Sequence, residues 1–86
     1  MIEAKEAVGI AEKFIQAIMP NFGTPKLEEI EYIDDEYGGE WKLTFSKDSD
    51  LKPGSLEELL RRSELTKVVR VSANNGRILS IKNKAA

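Results

Sequence analysis

The chain has no cysteine and no histidine among its 86 residues. Without cysteine there are no disulfides, no thiolate nucleophile and no thiolate metal site. Without histidine the commonest metal ligand is missing, and so is the side chain that best exchanges protons near neutral pH. No stretch approaches the roughly 20 apolar residues that a membrane span needs. Neither sign of charge dominates: 13 Lys and Arg stand against 15 Asp and Glu. The basic residues are dispersed, and the small clusters Arg61-Arg62 and Lys82 with Lys84 read as solvated faces. A nucleic-acid binder carries a basic face that neutralises phosphates, so no nucleic-acid partner is expected.

What remains is a globular composition, 41% hydrophobic and 33% charged. The length fits one domain, residues 1–86, and not two. The opening MIEAKEAVGIAEKF lacks the basic start and apolar core of an export signal. As given, the chain is expected in the cytoplasm. Had an export signal been removed, it would belong outside.

Hydrophobic periodicity predicts a helix from Glu3 to Ile18. Ala4, Ala7, Val8, Ala11, Phe14, Ile15 and Ile18 recur at three- and four-residue spacing and share a face. Pro20 disfavours helical geometry at Met19 and ends the run. Gly9 lies mid-helix, as a tight packing position or as a site not tuned for stability.

A strand is expected from Lys26 to Asp34, with Ile30 and Tyr32 on one side and Leu27 and Ile33 on the other. The run Asp34 to Gly39 reads as a turn. Glu40–Ser46 alternates cleanly, with Trp41, Leu43 and Phe45 apolar and Lys42, Thr44 and Ser46 polar. These strands should pair as an antiparallel hairpin. The polar stretch from Lys47 leads to Ser55-Leu56-Glu57-Glu58, which matches a capping box. A short helix is therefore predicted at Ser55–Arg62.

Two further strands flank Asn74-Asn75-Gly76. Val69, Val71 and Ala73 form the apolar set of one, and Leu79 and Ile81 that of the other. Asn75-Gly76 is read as a two-residue hairpin turn with positive φ at both positions. Residues 83–86 are expected to fray. The predicted class is α+β: one long N-terminal helix packed on a twisted four-stranded antiparallel sheet, with a short extra helix between strands 2 and 3.

The Ala-rich first helix, the strand in GGEWKLTF and the run KVVRVSANNGRILSI resemble a PepSY-type domain of the peptidase-propeptide kind, a cystatin-like arrangement. The matching positions are Trp41, Val69, Val71, Asn75, Gly76, Ile78 and Leu79, and the likeness covers about three quarters of the chain. It departs at Lys47–Leu65, a longer polar segment, and at Ser72 and Asn74, where the family often has Asp. The resemblance implies a helix gripped by a curved sheet and a non-catalytic binding role, with peptidase inhibition as one form of it. It also points outside the cytoplasm, where most of the family resides, and it carries no inhibitory residue onto this chain.

Candidate chemistry is sparse. Asp34, Asp35, Glu36 and Glu40 could gather oxygens around a hard cation, but they lack the spacing of a calcium loop and read more simply as a solvated hairpin tip. Asp48 and Asp50 read the same way. Nothing singles out a catalytic carboxylate pair. Ser46-Lys47 and Ser80-x-Lys82 are not the S-x-x-K arrangement. No enzyme activity, metal or other cofactor is expected.

The expected partner contacts are Tyr37, read as an exposed aromatic at the hairpin tip, and the polar sheet face carrying Lys42, Thr44, Arg70 and Ser72. Trp41 is expected in the core. A partner protein, or a second copy of the chain, would meet this face or a free sheet edge. The alternative is a small-molecule carrier with an apolar pocket between helix and sheet.

Overall fold

The computed structural model describes residues 1–36, 38–47 and 66–84. The helix expected at Ser55–Arg62, the aromatic at Tyr37 and the last residues, Ala85 and Ala86, lie outside the described residues.

Helix α1 spans Ala4–Ile18, one residue short of the predicted start, with Glu3 as the N-cap. Its stripe at four-residue spacing, Ala7, Ala11 and Ile15, is fully buried, as the periodicity predicts. Two alanines in that stripe let the helix axis approach the sheet closely. Ile18, expected on the same stripe, is exposed beyond its end. The helix stops where the sequence predicts. The Met19 amide donates to Ile15 O, and Pro20 opens a 3-10 turn, Pro20–Phe22, that buries Phe22.

Four strands follow: β1 Pro25–Asp35, β2 Gly38–Lys47, β3 Thr66–Ser72 and β4 Ile78–Asn83. They form one antiparallel sheet in the order β1-β2-β3-β4. Leu43, Phe45, Val69 and Val71 point from the two central strands into the core against Ala7, Ala11, Ile15 and Phe22. Burial of each large side chain there contributes about 1.5–3 kcal/mol. Trp41 packs at the rim of this core and is half-buried. Its indole N–H donates to Ile2 O, while the Ile2 amide donates to Ala73 O. The residues that lead into α1 are thereby tied to both β2 and the β3–β4 turn.

That turn differs from the expectation. No residue other than glycine has positive φ among the described residues, and only Gly76, at φ +75°, is left-handed there. Asn75 therefore does not share a two-residue turn with Gly76. The Ser72 amide donates to Arg77 O and the Gly76 amide donates to Ser72 O, so the loop runs from Ala73 to Gly76. Ala73–Asn75 wind with negative φ, and Gly76 reverses the chain at the end. Asn75 instead accepts from the Arg77 amide through Oδ1, the side-chain turn that favours Asn at such positions.

Asn83, expected in a frayed tail, is the last residue of β4. It pairs with Lys67 because β3 begins as early as Thr66, and the Lys84 amide donates to Thr66 O.

Two glycines generate predictions. A Cβ at Gly76 would stand 2.9 Å from Ile10 Cδ1, on a backbone that L side chains rarely adopt. Gly76→Val should cost about 2 kcal/mol or more, lowering the melting temperature by roughly 8 °C or more in a domain of this size. A Cβ added at Gly9 would meet nothing within 4 Å, and the backbone there has no unusual φ. Gly9→Ala should therefore stabilise the helix by about 0.5–1 kcal/mol, read from the shift of a urea unfolding midpoint.

Candidate functional site

The most unusual surface lies on β1, and a single extra residue creates it. Strict alternation would put Leu27 opposite in sense to Ile30 and Tyr32. The register instead pairs Leu27 with Phe45, Ile30 with Leu43 and Tyr32 with Trp41, with a shift between Leu27 and Glu29. Residues directly opposite one another in an antiparallel pair lie on the same face, and Phe45 and Leu43 are core residues. The bulge at Glu28 therefore restores Leu27 to the helix side. Leu27, Ile30 and Tyr32 form one apolar row, and the helix leaves them 38–39% exposed. Ile33 pairs with Glu40 and falls on the other face, as expected.

Tyr32 is held firmly within this row. Its ring centroid lies 5.1 Å from that of Trp41, tilted by 58°, a favourable arrangement for aromatic pairs. The phenol ring covers Gly39, where any Cβ would overlap it. Its hydroxyl points toward Met1 Sδ at 3.7 Å.

The opposite side of β1 is acidic. Glu29 and Glu31 alternate with the apolar row, and Glu31 stands directly across from Lys42. Lys84 Nζ lies 3.5 Å from Glu29 Oε1, with both side chains about half exposed or more, so this pair contributes little. Glu28 accepts a 2.6 Å hydrogen bond from Ser46 Oγ at the bulge. β1 is an edge strand that pairs only with β2 among the described residues. Its outer backbone N–H and C=O groups form a template for a further strand.

The residues expected to meet a partner on the polar face are brought together in register. Lys42 lies directly opposite Arg70, and Ser72 lies opposite Glu40. Thr44 shares that face but is only 4% exposed, so it offers a partner little surface. Arg70 is engaged. Its Nε and Nη2 donate to the two carboxylate oxygens of Glu40, each at 2.6 Å. Glu40 is 5% exposed, so this forked pair pins β2 to β3 more than it offers a binding group. Glu40 thus faces Arg70, and no group of three or more acidic side chains among the described residues is placed to hold a metal ion. No helix among them is long and apolar enough to cross a membrane.

The Leu27–Ile30–Tyr32 row is hidden in the sequence, because counting in twos places Leu27 on the wrong face. The one available signal is the doublet Glu28-Glu29, which breaks the alternation between Leu27 and Ile30.

The ion pair makes a prediction. Arg70→Ala leaves the Glu40 carboxylate buried without its partner and should destabilise the protein by about 2 kcal/mol, below the 3–5 kcal/mol of a fully buried pair because Arg70 is 42% exposed. Adding Glu40→Gln to Arg70→Ala should recover a good part of that loss. Chemical denaturation of the two variants measures both effects.

No protein-family model, no curated protein and no solved structure matches this chain, so the site is read from its own geometry.

Proposed function

We propose that this chain is a non-enzymatic, PepSY-like binding module that takes an extended segment of another protein along the free edge of β1. The observation that carries the reading is the row Leu27, Ile30 and Tyr32, large apolar side chains 38–39% exposed beside a strand edge that meets no further strand among the described residues. Strand addition uses both features. Main-chain hydrogen bonds supply affinity, and alternate side chains supply specificity. The helix laid against an antiparallel sheet agrees with the PepSY-like reading, and peptidase inhibition would be one use of such an edge.

A small-molecule carrier needs room between helix and sheet. Ala7, Ala11, Ile15, Phe22, Leu43, Phe45, Val69 and Val71 occupy that interface as one buried cluster, so no observation favours the carrier.

Selecting a displayed library of random ten-residue segments on the immobilised protein tests the reading. Extended, alternating sequences should be enriched. Their affinity should fall at least about tenfold on the variant Leu27→Thr, Ile30→Thr, Tyr32→Thr, which keeps good strand-forming residues. Enriched segments that bind this variant as well as the parent would place binding elsewhere, and no enrichment at all would defeat the proposal.

A further inference from the structure

The two sides of β1 differ in chemistry, and a strand added at its edge must match both. Such a strand lies about 4.8 Å from β1, with its side chains alternating between the same two faces. Positions on the helix side would stand beside Leu27, Ile30 and Tyr32. Positions on the other side would stand beside Glu29 and Glu31. Resting on the reading of β1 as a binding edge, we infer that the segment received there is a basic strand, with Lys or Arg at every second position and apolar residues between.

Charge decides the partner. Along β1, Lys26 stands alone against Glu28, Glu29, Glu31, Asp34 and Asp35. A basic residue opposite Glu31 would complete a row in which Lys42 already flanks that carboxylate from β2. A basic residue opposite Glu29 would share it with Lys84, whose exposed contact at 3.5 Å is easily supplemented or displaced. Opposite charges directly across a strand pair are favourable and like charges are unfavourable.

The same rule argues against a second copy. With β1 antiparallel to a second β1, registers centred on Glu29, Ile30 or Glu31 all set carboxylate against carboxylate. The β4 end of a second copy carries Lys82 and, just beyond it, Lys84, but a bulge at Leu79 makes that edge irregular, and Lys84 is directed to Glu29 of its own chain. The acidic side chains that guard this edge against self-pairing are thus the groups that select a basic partner.

The test uses the whole chain and fluorescein-labelled ten-residue peptides in which valine and threonine alternate with lysine, with glutamate or with serine. Anisotropy titrations should show binding of the lysine peptide that weakens as salt rises, as screened charges require. The glutamate peptide should bind at least about tenfold more weakly. In Glu29→Lys/Glu31→Lys the order should reverse, and in Glu29→Gln/Glu31→Gln the preference should shrink; both pairs are exposed, and melting curves confirm that the variants fold.

Equal binding of all three peptides, unchanged in the charge variants, would overturn the basic-strand inference while leaving β1 as a binding edge. Binding by none would remove both. Concentration-dependent dimers in sedimentation velocity that the lysine peptide fails to dissociate would also overturn the inference, since a second copy would then hold the edge.

Discussion

One helix cannot cover four strands, and the architecture of the described residues follows from that limit. An α-helix with its side chains is about 10 Å across. Four strands about 4.8 Å apart span about 14 Å between their outer axes. α1 therefore shields the central strands, where Leu43, Phe45, Val69 and Val71 are fully buried. The outer strands sit under its flanks. Ile78 and Ile81 on β4 are partly covered and pack against the core, whereas Leu27, Ile30 and Tyr32 on β1 remain more open. The exposed apolar row results from the ratio of helix width to sheet width.

Elsewhere the sheet is secured by local devices rather than by more core. Ile2 links the approach to α1 with Trp41 and Ala73. The Glu40–Arg70 fork crosses β2 and β3 on the face away from the helix. The Asn75 side chain and the left-handed Gly76 fix the β3–β4 turn, and Ile10 of α1 lies against that glycine. A small domain buries a modest fraction of its surface, so such ties matter more here than they would in a larger protein. They also occupy polar groups that the sequence alone offers as contacts. Arg70 is the clearest case, since its guanidinium holds the sheet together.

The amphipathic repeat of α1, the stop at Pro20, the alternation of Trp41, Leu43 and Phe45, and the hairpin punctuation by glycine were all legible in the sequence. Each rests on a local rule: the period of a helix, the period of a strand, or the backbone freedom of glycine. So was the α+β arrangement of one helix on an antiparallel sheet, because one-sided elements have few ways to bury their apolar faces. The candidate site was less legible. Alternation puts Lys42 and Arg70 on one face, as the register does, but it does not bring Leu27 beside Ile30 and Tyr32.

Tertiary structure decided the rest through two bulges. One extra residue in a strand reverses the facing of every side chain beyond it. At Glu28 the shift brings Leu27 round to join Ile30 and Tyr32. Between Ser80 and Ile78 it turns Ile78 and Ile81 to the core and leaves Leu79 51% exposed, where plain alternation pairs Leu79 with Ile81. A bulge forms where the partner strand and the helix above reward the new facing, and those lie far away in the chain. The sequence by itself determined which segments are helix and strand and that they form one layered core. The register between strands, and with it the exposed apolar row on β1, was settled only when β1, β2 and α1 packed against one another.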